Sequence, residues 1–323
     1  MPFTVWGILE VCSIVLCLAT IASFLGRLWW IFELTSHFPL QYALCLAALA
    51  LAWTVFREWY LAGICGVCAI VNAILVALVY LPEGEQSQPA GQSLRIVSIN
   101  VHTLNTRSDL VLDFLRNANA DVILLMEVNN RWVAQLETLH TNYSYSLIQP
   151  REDNFGIAMF SRLPLINGRV LEFGSAGVPS VGSSVKVGDE TVYLLGTHPL
   201  PPGSAEYARL RNEQLEAVAR YVRSAIVPVV VAGDLNVTPW SPFFRDLIRE
   251  SGLKNTSRGR GLFRSWPAWL WIVRIPIDQC LVSPSITVID KSIGPKVGSD
   301  HMPVVVDLQI PAAANTAPGS EQP

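Results

Sequence analysis

The chain has 323 residues, 51% of them hydrophobic, and a formal net charge of −3 at pH 7. This hydrophobic content is too high for an ordinary soluble protein of the same length and indicates a segment that enters a membrane. The slightly negative charge excludes a uniformly basic chain of the kind that binds duplex DNA by general phosphate neutralisation.

The apolar excess is confined to the first quarter of the chain. The charged side chains of residues 1–81 are Arg27, Arg57, Glu10, Glu33 and Glu58. The apolar stretches of this region run over about 3–25, 38–56 and 59–81. Each is near the roughly 20 residues that a helix needs to cross a bilayer. We predict a membrane anchor over 1–81 with three transmembrane helices; the first stretch lacks the basic start and cleavage pattern of a secretory signal.

The orientation of this anchor rests on few charges. Arg27 and Arg57 would lie on opposite sides of the membrane, so the preference of basic residues for the cytoplasmic side cancels. No Lys or Arg lies between Leu81 and Arg95, which permits export of the following segment. With an odd number of spans and a cytoplasmic N-terminus, the sequence predicts a multi-pass plasma-membrane protein with an extracytoplasmic globular part.

Polar segments flank this globular part. Residues 82–93 are rich in Pro, Gly, Ser and Gln and predict a flexible linker. Residues 311–323 are rich in Ala, Pro and Gly and predict a disordered tail. The segment 94–310 between them is long enough for one substantial core.

Strand-like and helix-like patterns alternate within 94–310. Apolar runs predict strands over 94–101, 121–127, 155–161, 191–197, 227–233, 277–283 and 302–308. Helical patterns cover 109–117, 131–139, 205–222 and 242–251. The mixture predicts an α/β sandwich with covered sheets.

Polar side chains stand at the ends of these apolar runs. The residues in question are Asn100, Glu127, His198, Asp234, Asn236, Asp278, Asp300 and His301. Carboxylate and carboxamide oxygens suit a hard cation such as Mg²⁺ or Mn²⁺ better than zinc. Two imidazoles can serve as acid and base near neutral pH, and a carboxylate can hold the base in one tautomer. The set predicts metal-assisted attack of water on a phosphate.

The motifs around these residues resemble those of the endonuclease/exonuclease/phosphatase superfamily. They read SINV, LLMEV, GTHP, GDLN, PIDQCLVS and GSDHMPVVVDL, and they cover essentially all of 94–310 in the family's order. The resemblance implies a four-layer αββα sandwich with the site at one edge of two packed sheets. With the apolar N-terminal stretches, the chain looks closest to bacterial membrane-bound members, including the teicoplanin-resistance type.

The resemblance also implies a role for each matched residue. Glu127 and Asp300 would bind the metal directly, with Asn100 beside it. His301 would activate water, oriented by Asp278. Asp234 and Asn236 would position water and stabilise the phosphoryl oxygens, and either His198 or Asp234 would protonate the leaving group. Gln279 departs from the family, where many relatives have His, and no effect on the chemistry is expected because its side chain points away from that of Asp278.

Other polar residues receive weaker interpretations. Asn154 stands where the family often has a site residue and is predicted to contact the substrate. His102 and Asn105 are interpreted as turn or surface groups, and His37 and His140 as interfacial or surface residues without a role.

The stretch 257–275, SRGRGLFRSWPAWLWIVRI, allows two interpretations. It is either a buried core strand or an amphipathic loop that places its Trp side chains in the bilayer and its arginines at the headgroups. In the second case Arg264 is predicted to contact the substrate phosphate.

The sequence therefore predicts a membrane-anchored, Mg²⁺- or Mn²⁺-dependent phosphohydrolase with a lipid-linked phosphate or pyrophosphate as substrate. The first alternative is an exported or membrane-linked nuclease with the same site. The second is a non-catalytic binder of a phosphate-bearing ligand, against which the complete catalytic set argues. The number of metal ions and the oligomeric state stay open.

Overall fold

The structure, a computed structural model, describes residues 5–82 and 91–312. Its α-helices are α1 (Val5–Phe24), α2 (Trp30–Thr35), α3 (Pro39–Val55), α4 (Trp59–Ala77), α5 (Ser108–Ala118), α6 (Asn130–Leu136), α7 (Ala205–Arg223) and α8 (Pro242–Ser251). Its strands are β1 (Gly91–Asn100), β2 (Val122–Met126), β3 (Tyr145–Gln149), β4 (Ile157–Ser161), β5 (Ile166–Glu172), β6 (Pro179–Val187), β7 (Glu190–Thr197), β8 (Val229–Asp234), β9 (Lys254–Asn255), β10 (Asp278–Val282), β11 (Thr287–Ile293) and β12 (Val304–Pro311).

The N-terminal helices agree in part with the predicted spans. Helix α1, and α4 with the 3₁₀ turn that continues it to Tyr80, are long and apolar enough to cross a membrane. Only 17% of each apolar window is buried, whereas the core helix of a soluble protein is mostly buried. Helix α3 is apolar but has 17 residues. Two of the three predicted spans meet the length criterion, and the third stays a prediction.

Buried polar contacts join these helices into a bundle. Trp53 Nε1 donates a hydrogen bond to Ser13 Oγ, and Asn72 Nδ2 donates one to Thr20 Oγ1, both at 2.9 Å. Hydrogen bonds between polar side chains of apolar helices contribute to their packing. The centroids of the Trp6 and Phe56 rings lie 5.1 Å apart, so the start of α1 and the end of α3 lie side by side at one end of the bundle.

The globular part consists of two six-stranded mixed sheets. The first has the order β11-β12-β1-β2-β4-β3, and the second has the order β5-β6-β7-β8-β10-β9. One apolar cluster lies between the sheets and includes Leu124 on β2, Leu194 on β7 and Val230 on β8. A second covers the outer face of the first sheet under α5 and α6, and a third covers the second sheet under α7 and α8. The result is the predicted αββα sandwich.

Local sequence signals explain where the covering helices begin and end. Helix α8 starts after Ser241, whose side chain accepts a hydrogen bond from Phe243 N, and Pro242 occupies its first turn. It ends at Gly252, which has φ +73°. These are the preferred residues for the two ends of a helix.

All the strands and helices predicted for 94–310 are present, with corrections at the boundaries. Strand β1 begins at Gly91 rather than after the linker, because Gly91 pairs with Pro311 and Ser93 with Gln309. The rest of the predicted linker, 83–90, and the tail from 313 onward lie outside the described residues. Helix α2 and strands β3, β5, β6, β9 and β11 were not predicted.

The core-strand interpretation of 257–275 is wrong. This stretch forms turns and an isolated bridge between Trp266 and Ile275. Trp269 and Trp271 are 69% and 66% exposed. The segment is therefore a loop with exposed Trp side chains, and its insertion into a bilayer stays a prediction.

A glycine is required where β7 and β8 end side by side. A Cβ atom at Gly233 would lie 2.0 Å from the carbonyl oxygen of Thr197. Gly233→Ala should therefore lower the free energy of unfolding by about 3 kcal/mol, since backbone must move to admit the methyl group. Thermal melting in detergent measures this. The control Gly203→Ala should melt like the wild type, because no described atom lies within 4 Å of its Cβ; equal melting of both variants would contradict the prediction.

Candidate active site

The predicted site residues converge at one edge of the sandwich. Strands β1 and β2 are parallel neighbours that end there, and so are β7 and β8 of the other sheet. Strand β10 begins at the same edge, where Asp278 pairs with Asp234, and β12 begins beside the end of β1. The strand ends of two sheets thus deliver their polar residues to a common space.

A cleft of about 460 Å³ opens at this edge. The predicted site residues in its lining are Glu127, Asn154, His198, Asp234, Asn236, Asp300 and His301. Asn100 and Asp278 are buried behind it and contact the lining residues. Arg264 is not among the described residues that line the cleft; its side chain donates to the carbonyl oxygen of Trp271 at 3.4 Å. Arg264 therefore contacts the loop 265–275 in this structure, and its contact with a substrate stays a prediction.

His301 and Asp278 form a buried pair. His301 Nδ1 lies 2.8 Å from Asp278 Oδ2, and both residues are buried. Burial lowers the pKa of the His301 imidazole, but the Asp278 and Asp234 carboxylates outweigh it and raise that pKa to about 10. The carboxylate fixes the Nδ1 tautomer and leaves Nε2 toward the cleft, which is the arrangement of an oriented general base.

Asp234 is the centre of the polar contacts. Its Oδ2 lies 3.4 Å from His198 Nε2 and 3.5 Å from His301 Nε2, and its Oδ1 accepts a hydrogen bond from Asn236 N at 3.0 Å. Burial would raise the pKa of Asp234, but the imidazoles and the Asn236 N–H hold it below its usual value. Asp234 is therefore an anion placed between two imidazoles.

The residues that fit a divalent cation are Glu127 and Asp300. Both line the cleft, and Asp300 Oδ1 is a buried oxygen without a hydrogen-bond partner among the described residues. His102 Nδ1 lies 3.7 Å from that oxygen, which is too long for a hydrogen bond. Trp266 Nε1 donates to the other oxygen of Asp300 at 3.1 Å and orients the carboxylate. Oxygen donors of this kind suit Mg²⁺ or Mn²⁺.

Asn100 makes a different contact from the one expected of a ligand. Its Nδ2 donates to Glu127 Oε1 at 2.9 Å and to Asp234 Oδ2 at 3.2 Å, and its Oδ1 accepts from His102 N. Asn100 therefore orients the carboxylates of Glu127 and Asp234, and its own Oδ1, the atom that would bind a metal, already accepts a hydrogen bond. Its role as a metal ligand stays a prediction.

A second group of possible ligands lies close by. Suitable atoms of Asp234, Asp278 and His301 lie within 4.8 Å of one another. However, His301 Nδ1 is already bound to Asp278, and a hard cation prefers oxygen ligands. The carboxylates of Glu127 and Asp300, which both line the cleft, fit such a cation better.

The backbone is strained where the site residues leave their strands. Glu127 has φ +63°, His102 has φ +59° and Asn236 has φ +50°. This conformation is uncommon outside glycine and costs on the order of 1–3 kcal/mol for each residue. At Glu127 it accompanies the hydrogen bond from Thr103 N to Oε2. Strain of this kind is typical of functional positions.

Several lining residues were not found by sequence reasoning. They are Leu34, His37, Phe38, Phe155, Pro201, Pro202, Gly203, Trp266, Ile275 and Ile277. His37, interpreted as an interfacial or surface group, is buried and its Nδ1 lies 2.9 Å from Thr238 Oγ1. Trp266 lies within residues 257–275, but nothing in the sequence predicts its hydrogen bond to Asp300.

Comparison with known proteins decides the family. The model of the endonuclease/exonuclease/phosphatase family matches residues 97–301, which include the cleft-lining acids together with His198 and His301. The chain belongs to this family. The chain is also 22% identical over 227 residues to a phospholipase C of Staphylococcus aureus, covering 56% of this chain and 68% of that protein.

Solved structures share the fold of this endonuclease/exonuclease/phosphatase domain. A humanised TDP2 of D. rerio has a TM-score of 0.57 at 16% identity, covering 67% of this chain and 99% of its own. The catalytic domain of human Nocturnin has a TM-score of 0.56 at 17% identity, covering 69% and 96%. The family membership confirms the predicted enzyme class: the protein is a metal-dependent hydrolase of phosphoester bonds.

Proposed function

We propose that the chain is a membrane-anchored hydrolase that uses Mg²⁺ or Mn²⁺ to cleave a phosphoester or pyrophosphate bond of a lipid-linked substrate. Residues 1–81 are the anchor and 94–310 the catalytic domain, which lies outside the cytoplasm of a bacterial plasma membrane. The partners in this proposal are the lipid bilayer and the lipid-linked phosphate.

The catalytic residues act on a phosphate bound in the cleft. His301 Nε2 accepts the proton of the attacking water, and Asp278 stabilises the imidazolium that forms. Asp234 holds the attacking water and Asn236 the phosphoryl oxygens. His198 gives a proton to the leaving group, because Asp234 is an anion and has none to give. A divalent cation bound by Glu127 and Asp300 would neutralise charge on the phosphoryl oxygens.

The observation that supports a lipid substrate is the position of the Trp loop, residues 265–275. Its tip exposes the apolar side chains of Trp269, Trp271 and Ile272. Gln41 Nε2, in the first turn of α3, donates to the carbonyl oxygen of Ile272 at 3.1 Å, so the tip lies beside the end of an apolar helix. Exposed Trp side chains at that level are typical of a membrane interface.

The charge of the cleft also favours a lipid over a polynucleotide. None of the described residues that line it is Lys or Arg, although a nucleic-acid groove neutralises successive phosphates with basic side chains. The match to a protein named phospholipase C agrees with this choice. The likeness to a TDP2 solved with a single-stranded DNA product favours the nuclease alternative, at 17% identity.

A direct comparison of substrates tests the proposal. Detergent-solubilised full-length protein with Mg²⁺ should release phosphate or headgroup from lipid phosphates and leave supercoiled plasmid intact at the same enzyme concentration. Chromatography of the lipid products and agarose gels measure the two reactions. His301→Ala is the control for contaminating activity. Efficient nicking of the plasmid without lipid hydrolysis would replace the proposal by the nuclease.

A further inference from the structure

The N-terminal segment supplies part of the active-site cleft. Leu34, His37 and Phe38 line the same cleft as Glu127 and Asp300. Leu34 lies in the short helix α2, and Phe38 directly precedes the first residue of α3. A substrate bound beside Glu127 and Asp300 therefore lies in a cleft whose wall is formed in part by the N-terminal segment.

Buried polar contacts fix this segment against the loop between β8 and α8, residues 235–241. Glu33 and Arg211 are both 0% exposed, and Arg211 Nη2 donates to Glu33 Oε2 at 2.8 Å. Arg211 Nη1 also donates to the carbonyl oxygen of Asn236 at 2.8 Å. The contact of His37 with Thr238 adds a second link to the same loop. Separating a buried ion pair leaves uncompensated charge, so the segment and the loop keep one relative position.

The cleft has two chemically different surfaces. Its polar side chains are grouped around Asp234, which lies between His198 and His301. Leu34 and Phe38 are half-buried and apolar, and Ile275 and Ile277 line the same cleft. Apolar surface beside a site for a charged group gains free energy only when an apolar partner covers it. A phosphate alone leaves that surface in water.

We propose that Leu34 and Phe38 bind the hydrocarbon chain next to the scissile phosphate and set a preference for long-chain phosphoesters. The chain reaches them from the bilayer at the start of α3, which directly follows Phe38. This inference rests on the proposed lipid substrate and adds that the anchor itself contributes the specificity. Leu34 and Phe38 are specificity-determining residues, and the chemistry stays with the residues around Asp234.

Two probes that differ only in chain length test the inference. Methyl p-nitrophenyl phosphate and dodecyl p-nitrophenyl phosphate release the same leaving group, and both are assayed with full-length protein in mixed micelles of a neutral detergent. The readout is the ratio of kcat/KM for the dodecyl ester to that for the methyl ester. Comparing this ratio between variant and wild type cancels the partition of each ester into micelles.

Leu34→Ser and Phe38→Ser should each lower the ratio about tenfold, the factor expected when one large apolar side chain no longer buries its partner. Leu34→Met, which conserves apolar volume, should keep the wild-type ratio. The matched control is Ile31→Ser. Ile31 lies on α2, as Leu34 does, but it is exposed and is not among the described residues that line the cleft. Its ratio should stay within about twofold of the wild type.

The outcomes separate the inference from the proposed function. Lipid hydrolysis by the wild type with an unchanged ratio in both serine variants would overturn the inference alone. A fall of the ratio in Ile31→Ser equal to that in Leu34→Ser would also overturn it, because the effect would then belong to the whole helix. A wild type that cleaves the methyl ester but no lipid phosphate would overturn the proposed function and the inference together.

Discussion

Glu127→Gln should reduce Mg²⁺-supported hydrolysis by about a thousandfold or more, because the cation contributes several kcal/mol of charge stabilisation and every 1.36 kcal/mol is a factor of ten. The substitution keeps the size of the side chain and one of the two acceptor oxygens. Because Asn100 Nδ2 donates to Oε1 and Thr103 N to Oε2, one of these bonds is kept and the other is lost. The substitution removes the negative charge that a divalent cation requires. The fold should therefore survive, and the loss should be one of metal binding.

Binding and rate have to be measured separately. Mn²⁺ binding by electron paramagnetic resonance should be tight in the wild type and weak in Glu127→Gln, and EDTA should abolish wild-type hydrolysis until Mg²⁺ or Mn²⁺ is restored. Glu152→Gln is the matched control, since Glu152 is an exposed acid that contacts Asn130. Full activity of Glu127→Gln, or of the wild type in EDTA, would contradict the assignment of the metal site.

The catalytic half of the fold could be predicted because its signals are local. Each apolar run of β1, β2, β7 and β8 ends at a polar residue, and strand ends are where alternation gives way to turns. The antiparallel register that pairs Asp278 with Asp234 could not be read from the chain, but the family's order of motifs implied that the two meet.

The strands that were missed lack these local signals. Strand β6, PSVGSSVKV, is mostly buried although it is rich in Ser. Burial of Ser180 is possible because its hydroxyl shares a hydrogen bond with Thr197 Oγ1 on the neighbouring strand. A buried polar residue is stable when a neighbour satisfies it, and that neighbour is known only from the fold. Sequence patterning therefore misses strands whose burial depends on such pairs.

The part of the cleft formed by the anchor could not be predicted for a related reason. Helix α2 has six residues, no side-chain cap and a Glu at position 33 that reads as a surface charge. The burial of Glu33 depends on Arg211, which is far away in the sequence and belongs to the amphipathic helix α7. Only docking of the two parts brings Leu34 and Phe38 beside the catalytic residues.

His301→Gln should lower kcat about 10³–10⁴-fold, the upper part of the range for loss of a general base, while Mn²⁺ binding remains. His301 Nε2 is the nitrogen left free for the water, because Nδ1 is engaged by Asp278 at 2.8 Å. Retained Mn²⁺ binding would also identify Glu127 and Asp300 as the metal ligands, rather than the buried group of Asp234, Asp278 and His301. Loss of Mn²⁺ binding in this variant would favour the buried group instead.

The pH profile of Asp278→Asn distinguishes an oriented base from a structural histidine. The base works in its neutral form, whose fraction rises with pH, so wild-type kcat should rise with pH toward the raised pKa of His301. Asp278 contributes to that raised pKa, and its replacement by a neutral side chain lowers the pKa. The rising limb should therefore move to lower pH in Asp278→Asn while the plateau falls. A lower plateau with an unmoved limb would show that His301 is not the group that titrates, and its role as the base would then be wrong.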